Sequence, residues 1–323
     1  MLRTGFLKRM LDKVSTVLIG LGKIGIGYDF SDNGLIKDQT FTHLKALMES
    51  QTFSVEAMVD SDLTVLDRFT NLTYIESGTS LSSLPNIKNF DLLVLACPTT
   101  NHLQELKNSI STASFNYLVI EKPVGLNYFE CSEIQDLTEI NNLEVYVNYF
   151  RRYLRTTGNV KAYLNSIDKG TFQSATIKSY GSLHNIFSHF IDLSLEITKS
   201  CVFCSCPKSL LTRNSSGVTV KCDYCVSQIS LTGIDGSKCD SEVILNFERV
   251  KVRITNNGFD FEVIDKYSHN FKEFKSTPYE IRNYQEIVYA EISTVLGTPN
   301  SFSGLAQAIS VHRFIESIYS AHD

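Results

Sequence analysis

A glycine-rich turn near the start of the chain is suited to holding a diphosphate. Gly20-Leu21-Gly22-Lys23-Ile24-Gly25 follows an apolar run and matches the pattern G-x-G-x-x-G. In this pattern the first glycine permits a tight turn, the second lets backbone amides approach a diphosphate, and the third brings the following helix close to the strand. The N-terminus of that helix presents N–H groups and partial positive charge to the phosphates. The motif therefore predicts a dinucleotide site.

A carboxylate at the end of the next predicted strand, Phe53–Val59, supports this interpretation. Asp60 follows that strand and can accept hydrogen bonds from the two hydroxyls of an adenosine ribose, whereas it would repel a 2′-phosphate. The sequence therefore favours NAD over NADP as the cofactor. The interval from Gly25 to Asp60 exceeds the usual spacing of about 20 residues, and we assign the excess to an insertion at Asp29–Gln39. A plain strand–turn–helix with an exposed aspartate is the alternative.

Two further polar segments follow apolar runs that are typical of buried strands, Asp91–Cys97 and Tyr117–Ile120. Open parallel sheets bind ligands at the carboxyl ends of their strands. The two segments therefore complete the predicted cofactor site, and they contribute Cys97, Pro98, Thr99, His102, Glu121 and Lys122. For His102, an ordinary residue at the start of a helix is an equal alternative. For Lys122, a surface lysine is the alternative, and the position between Glu121 and Pro123 at the end of a strand argues against it.

The composition is that of a folded protein with two domains. The chain has 323 residues, of which 43% are hydrophobic and 20% charged. The net charge of −5 without a strongly basic stretch argues against nucleic-acid binding. The longest apolar runs are strand-sized, and the first residues lack the core of a secretory signal. We therefore expect a cytoplasmic protein without a membrane span.

The predicted fold is an α/β Rossmann domain with a parallel sheet followed by an α+β domain with an open antiparallel sheet. Continuous apolar strands alternate with helical segments over residues 1–124, and this arrangement is typical of a parallel sheet that is covered on both faces. Residues 125–323 contain helices and strands whose apolar and polar residues alternate, as in a sheet with one polar face. We expect the final helix, near Gly304–Tyr319, to pack back on the first domain.

Four of the eight cysteines have the spacing of a zinc ribbon, namely Cys201, Cys204, Cys222 and Cys225. The stretch Val218–Leu231 has the pattern of one extended strand, in which residues three apart point to opposite faces. Cys222 and Cys225 could not then share one ion. We therefore predict no metal site and interpret the cysteines as buried reduced thiols.

Several motifs along nearly the whole chain resemble the glucose–fructose oxidoreductase/inositol dehydrogenase (Gfo/Idh/MocA) family. They are GLGKIG, CPTTNH at Cys97–His102, the Glu121-Lys122-Pro123 tripeptide, NYFRRY at Asn148–Tyr153, HNIFSHFIDL at His184–Leu193, and the final LAQAISVHRFIESIYSA. The resemblance implies an NAD(P)-dependent oxidoreductase that acts on a sugar, an inositol or a nucleotide-linked sugar. It also implies a homodimer or homotetramer that uses the second-domain sheet. The YDFS…THLKAL segment is similar to members from surface-polysaccharide pathways.

The resemblance carries two catalytic positions onto this chain. The lysine of the EKP motif is Lys122, and the D-x-x-x-H pair of the family falls on Asn185 and His189, so that the histidine matches and the aspartate does not. Oxidation of a secondary alcohol needs a base for the hydroxyl proton while the nicotinamide takes the hydride. We assign His189 as acid/base and Lys122 as the residue that holds the hydroxyl, with the swapped assignment left open. Asn185 would orient the substrate, and a core histidine is the alternative for His189.

Arg151, Arg152 and the neighbouring His184 are the candidate substrate residues, because guanidinium forks suit phosphate. A solvated basic turn is the alternative for the two arginines. The predicted function is hydride transfer between NAD and a secondary hydroxyl or keto group of a sugar or nucleotide-linked sugar, in polysaccharide biosynthesis. An NAD-dependent glycosidase of the same family and a non-catalytic cofactor-binding sensor are the alternatives.

Overall fold

The computed structural model describes residues 13–31, 34–73, 75–86, 89–199, 209–214, 217–224, 227–234, 240–297 and 304–320. The strands are β1 Val14–Ile19, β2 Phe30–Ser31, β3 Gly34–Leu35, β4 Phe53–Val59, β5 Glu76–Gly78, β6 Leu92–Leu95, β7 Tyr117–Ile120, β8 Glu144–Val147, β9 Phe172–Gly181, β10 Ser209–Asn214, β11 Gly217–Tyr224, β12 Ser227–Ile234, β13 Glu242–Phe247, β14 Val250–Thr255, β15 Asp260–Asp265 and β16 Phe271–Phe274. The α-helices are α1 His43–Glu49, α2 Leu63–Thr73, α3 His102–Thr112, α4 Tyr128–Ile140, α5 Arg155–Ser166, α6 Ser188–Thr198, α7 Pro278–Arg282, α8 Tyr284–Val295 and α9 Gly304–Ser320.

The chain forms two compact units that interleave along the sequence. The first unit consists of Met1–Leu126, Ser132–Asn148 and Arg282–Leu305, and the second consists of Asn127–Cys131, Tyr149–Ile281 and Ala306–Asp323. The units therefore differ from the two consecutive segments that we expected. The last helix, which we expected on the first domain, contributes Val311, Phe314 and Ile318 to the apolar core of the second unit.

The first unit is built on a six-stranded parallel sheet with the order β5-β4-β1-β6-β7-β8. All four residues of β6 are buried, because a parallel sheet is covered on both faces. The parallel Rossmann sheet of the prediction is confirmed. Since the carboxyl ends of parallel strands share one edge, the residues that follow β4, β1, β6 and β7 lie side by side in that order.

The glycine motif is not followed directly by an α-helix, and this corrects the prediction. Hydrogen bonds from Ile26 and Gly27 N–H to the Gly22 carbonyl oxygen, both at 3.0 Å, close a short turn over residues 22–27, and residues 28–42 lie between this turn and α1. The first amides of α1 nevertheless donate to the carbonyl oxygens of the turn, His43 N–H to Ile24 at 3.1 Å and Leu44 N–H to Gly25 at 3.0 Å. The turn and α1 therefore act as one helix that the insertion interrupts.

Buried polar side chains hold the inserted segment in place. The Asp29 carboxylate is fully buried and accepts hydrogen bonds from the backbone N–H groups of Phe41 and Thr42 at 2.8 and 2.7 Å. The buried Lys45 ammonium donates to the carbonyl oxygens of Ile36 and Gln39. Because each buried charge has several hydrogen-bond partners, the insertion is a structured part of the first unit.

The second unit contains an eight-stranded sheet with the order β10-β11-β12-β9-β13-β14-β15-β16. Neighbouring strands are antiparallel except β12 and β9, which are parallel, so the sheet is mixed. Burial alternates along β13 and β14, as expected for a sheet with one covered face. Residues of α5, α6 and α9 pack on that face.

The predicted single strand Val218–Leu231 is instead a hairpin. β11 pairs antiparallel with β12, and Tyr224 lies opposite Ser227. The argument that placed Cys222 and Cys225 on opposite faces of one strand is therefore wrong. Cys201, Cys204 and Cys225 lie outside the described residues, and within the described part of the chain no group of three His, Cys, Asp or Glu side chains is placed to hold a metal ion.

Among the helices in the part of the chain that the structure describes, none combines the length and the apolar character that crossing a bilayer requires.

Candidate cofactor-binding site

A cleft of about 610 Å³ runs along the carboxyl edge of the parallel sheet, a volume in the range of small-molecule and cofactor sites. Ten of the thirteen predicted cofactor residues line it. They are Gly20, Gly22, Lys23, Ile24, Asp60, Cys97, Pro98, Thr99, Glu121 and Lys122. Because these residues follow four adjacent strands, the sheet itself brings together side chains that are up to 102 positions apart in the sequence.

The glycine turn has the close contacts that its pattern requires. Gly20 has a φ of +97°, and a Cβ there would lie 2.3 Å from the backbone nitrogen of Cys97. A Cβ at Gly25 would lie 2.1 Å from the carbonyl oxygen of Gly20. A Cβ at Gly22 would meet nothing within 4 Å, and Gly22 lines the cleft. The open space at Gly22 fits the approach of a diphosphate to the backbone.

Asp60 lies at one side of this turn with its carboxylate facing the glycine motif. Its Oδ2 accepts a hydrogen bond from Leu21 N–H at 2.7 Å, and its Oδ1 accepts one from Asp62 N–H at 2.9 Å. Each carboxylate oxygen retains acceptor capacity, because an ionised carboxylate offers about four lone-pair sites. Asp60 is therefore fixed in position and still able to accept ribose hydroxyls.

Cys97, Glu121 and Lys122 lie on the other side of the turn, after β6 and β7. Burial raises the pKa of the Cys97 thiol to about 12, so the thiol is neutral and unreactive. Burial of Glu121 favours its neutral form, but the hydrogen bond from His43, with Asn148 and the charge of Lys122, outweighs it and holds the pKa of Glu121 below its usual value. An ionised carboxylate thus precedes the lysine that the family resemblance makes catalytic.

Leu21, Gly25 and His102 are not part of the lining. Leu21 and His102 are buried, and the two ring nitrogens of His102 lie 3.0 Å from the carbonyl oxygens of Cys97 and Val124. His102 therefore links the segments that follow β6 and β7, and it does not line the cleft, in contrast to the prediction from the sequence.

The sequence reasoning missed several lining residues, namely Tyr28, Ser61, Asp62, Thr79, Asn101 and Glu105. Ser61, Asp62 and Thr79 follow β4 and β5 closely, so the strand-end rule applied two residues further would have found them. Tyr28 comes from the start of the insertion and carried no signal in the sequence.

The second unit holds the other predicted catalytic residues. His189 lies in the first turn of α6, with its ring edge-on to Tyr149 and Phe150 at centroid distances of 5.6 and 5.8 Å. Asn185 is exposed in the π-helical turn Leu183–Phe187, where its backbone N–H donates to Ser182 Oγ at 3.3 Å. Within this unit, Asn185 and His189 therefore lie on consecutive turns.

Arg152 has a different role from the one predicted. Its guanidinium is 5% exposed and forms an ion pair with the buried Asp192 carboxylate. A buried guanidinium that is already neutralised is not available for the phosphate of a substrate. Arg152 is therefore a structural residue of the second unit.

The other two predicted substrate residues are half-buried. Arg151 donates from Nε to the carbonyl oxygen of Asn257 at 2.6 Å, and its guanidinium lies over the Phe150 ring at 4.4 Å. His184 lies 5.9 Å, centroid to centroid, from the ring of His312. Burial lowers the pKa of His184 although Glu316 opposes this effect, so the ring is neutral near neutral pH.

Comparisons with known proteins show what the first part of the chain is similar to. Residues 14–149 match the family GFO_IDH_MocA, described as an oxidoreductase family with an NAD-binding Rossmann fold. No curated protein matches the sequence of the chain.

Solved structures resemble nearly the whole chain. A super-repressor mutant of Gal80p from Saccharomyces cerevisiae matches with a TM-score of 0.77 at 14% identity, covering 96% of each chain. An oxidoreductase from Agrobacterium radiobacter in complex with NAD⁺, L-tartaric acid and magnesium matches at 0.72 and 13%, also covering 96% of each chain. KijD10, a 3-ketoreductase from Actinomadura kijaniata in complex with TDP-benzene and NADP, matches at 0.73 and 11%, covering 96% of this chain and 98% of its own. At such identities the likeness shows a shared fold, and the match to the family model of NAD-binding oxidoreductases extends over residues 14–149.

Proposed function

We propose that the protein is an NAD-dependent oxidoreductase that acts on a secondary hydroxyl or keto group of a sugar or nucleotide-linked sugar. The observation that carries this proposal is the order of residues along the cleft. Asp60, the glycine turn, Cys97 and Lys122 follow the adjacent strands β4, β1, β6 and β7. Three strand spacings amount to about 14 Å. An extended dinucleotide with its adenosine ribose at Asp60 would direct its other end towards Lys122.

The bound cofactor would supply the hydride acceptor or donor. The residues of this chain would bind and orient the cofactor and the substrate. Asp60 would accept hydrogen bonds from the ribose hydroxyls, the backbone at Gly22 would contact the diphosphate, and Lys122 would hold the reacting oxygen. His189 takes or returns the proton, because imidazole titrates near neutral pH, and Asn185 orients the substrate without adding charge. The exchanged roles of Lys122 and His189 stay open.

The choice of substrate class rests on the family and on one solved structure. The family is one of oxidoreductases, and KijD10 is a ketoreductase that was solved with a TDP derivative and NADP. Asp60 and Asp62 both line the cleft, and their carboxylates would repel a 2′-phosphate, which supports NAD over NADP in this chain. Arg152 has no part in the proposal, because Asp192 neutralises it.

The test measures turnover of a panel of nucleotide sugars and free sugars with NAD, and the absorbance of the reduced nicotinamide is the readout. We expect activity with at least one member of the panel. In Lys122→Ala and His189→Ala the turnover should fall about 10²–10⁴-fold while NADH affinity changes little, since both groups act on the reacting oxygen or proton. Full activity in both variants would contradict the assignment.

A second candidate function is that of a cofactor-binding sensor without turnover. Asn185 stands where the family has an aspartate. The structure of a super-repressor mutant of Gal80p also matches 96% of this chain, as much as the structures of the oxidoreductases do. A sensor would bind NADH as proposed but would reduce or oxidise no member of the panel. Cycling of the bound cofactor in the presence of a substrate would exclude it.

A further inference from the structure

A cluster of buried polar side chains lies behind the cleft wall in the first unit. His43 and Gln285 are fully buried, Tyr289 is 1% exposed, and Asn148 and Glu121 are buried as well. They come from α1, from the first half of α8, and from the residues that follow β7 and β8. Only Glu121 in this cluster also lines the cleft. The cluster therefore connects the interior of the unit to the proposed cofactor site through one carboxylate.

The hydrogen bonds within this cluster determine where the proton of His43 lies. Asn148 Nδ2 donates to Glu121 Oε1 at 2.5 Å and to Gln285 Oε1 at 3.1 Å. Because Gln285 accepts with its oxygen, its Nε2 is the atom that faces His43 Nδ1 at 3.2 Å, and it donates. The Tyr289 hydroxyl lies 2.8 Å from the same Nδ1. Nδ1 is thus an acceptor, and Nε2 carries the hydrogen.

That hydrogen is directed at Glu121. His43 Nε2 lies 3.0 Å from Glu121 Oε1, while Glu121 Oε2 accepts from Lys122 N–H at 3.3 Å. A buried carboxylate stays ionised only where hydrogen bonds and nearby positive charge offset its desolvation. Without the imidazole, Asn148 would be the remaining side-chain donor to this carboxylate within the described cluster. We would then expect the pKa of Glu121 to rise, because fewer hydrogen bonds would offset its burial.

We propose that His43 is a positioning residue of the cofactor site. By donating from Nε2 it keeps Glu121 negatively charged and fixed beside Lys122, so that this end of the cleft favours the oxidised, cationic nicotinamide over the reduced, neutral one. The inference rests on the proposed function, because it takes the ring to lie at the Lys122 end of the cleft. It adds a residue that contacts no cofactor and acts through the charge of another.

The test compares the dissociation constants of NAD⁺ and NADH, measured by calorimetry from about pH 6 to about pH 8.5. In the wild-type protein the ratio of the two constants should be constant, since Glu121 stays ionised. In His43→Leu the affinity for NAD⁺ should fall about tenfold at the acidic end, NADH binding should change less, and the loss of NAD⁺ affinity should shrink as pH rises.

The charged and titratable groups that face Glu121 are His43, Lys122, His102 and Tyr289.

Two variants separate the charge of Glu121 from mere packing. His43→Gln keeps an N–H donor and should restore most of the NAD⁺ affinity. Glu121→Gln should lose NAD⁺ affinity as His43→Leu does, but at every pH. His312→Leu, which removes a buried imidazole from the second unit, is the matched control and should behave as wild type.

The outcomes are distinguishable. Equal weakening of NAD⁺ and NADH in His43→Leu, or unchanged binding of both, would overturn the role of His43. If His43→Leu does not fold, an unchanged ratio in Glu121→Gln overturns the proposal on its own. Failure of the wild-type protein to bind either nucleotide would instead contradict the proposed function.

Discussion

Asp60 is the residue on which the proposed choice of nucleotide depends most. Its two oxygens are held by Leu21 and Asp62 N–H groups and face the glycine turn. In Asp60→Asn the charge-assisted hydrogen bonds to the ribose are lost, so the dissociation constant of NADH should rise about 10- to 100-fold. NADPH should bind relatively better, because the repulsion of its 2′-phosphate disappears. Fluorescence titration of both nucleotides measures this effect.

The control for that substitution is Asp136→Asn, which changes an exposed aspartate of α4. It should leave both dissociation constants unchanged. A clear preference of the wild-type protein for NADPH, or an Asp60→Asn variant with wild-type binding, would exclude the ribose role of Asp60.

His312 makes stability depend on pH. Burial, and then the neighbouring His184, lower the pKa of His312 from 6.5 to about 4. As pH falls below 6.5, His312 binds a proton in the unfolded chain but not in the folded protein. The free energy of unfolding therefore decreases until about pH 4 and then levels off. The loss attributable to this residue is about 3 kcal/mol over that interval.

His312→Leu should remove most of this dependence. Urea unfolding near pH 7 and near pH 4.5 compares the two proteins, and the variant should lose less free energy of unfolding by about 2 kcal/mol or more. Parallel pH dependence in the variant and the wild type would show that His312 is not the titrating group.

Among the elements of the fold, the segment inserted between the glycine turn and α1 adds a residue to the cleft. Tyr28 lines the cleft and is 50% exposed. Because an aromatic ring at a cofactor site contributes contact area, Tyr28→Ala should weaken NADH binding by about three- to tenfold without changing the melting temperature. Tyr267→Ala, which truncates a 76% exposed tyrosine in the second unit, is the control. Equal NADH binding in the two variants would contradict a role for Tyr28.

Local patterns predicted the elements that are determined by local interactions. β4 and β7 have the predicted bounds, Phe53–Val59 and Tyr117–Ile120, because apolar residues begin and end each strand and polar residues flank it. The split first helix could not be predicted, since its hydrogen bonds from His43 and Leu44 reach back across the insertion. The hairpin of β11 and β12 was missed because the stretch Val218–Leu231 contains no glycine, proline or asparagine that would mark a turn.

The same distinction holds for the candidate site. Gly20, Gly22, Asp60 and Lys122 were predicted because strand ends and a glycine pattern are visible in one stretch of sequence at a time. The contact of His43 with Glu121 joins residues 78 positions apart, and no local sequence pattern predicts it. The burial of Arg152 against Asp192 was missed for the same reason.

For the protein as a unit, the interleaved course of the chain is the feature that sequence reasoning did not anticipate. The segment 282–305 returns to the first unit, where Thr40 exchanges backbone hydrogen bonds with Arg282 and Gln285. Long-range pairing of this kind has no periodic signature in the sequence. The homodimer or homotetramer implied by the family resemblance stays a prediction.

The account as a whole depends on a dinucleotide lying along the edge of the parallel sheet with its diphosphate at the glycine turn. A Cβ at Gly22 meets no atom within 4 Å, so Gly22→Asp should fold normally while its carboxylate repels a diphosphate. Fluorescence titration with NADH is the measurement. We predict saturable binding to the wild-type protein and at least about tenfold weaker binding to Gly22→Asp. No binding of NADH to the wild type, or equal binding to both proteins, would contradict the account.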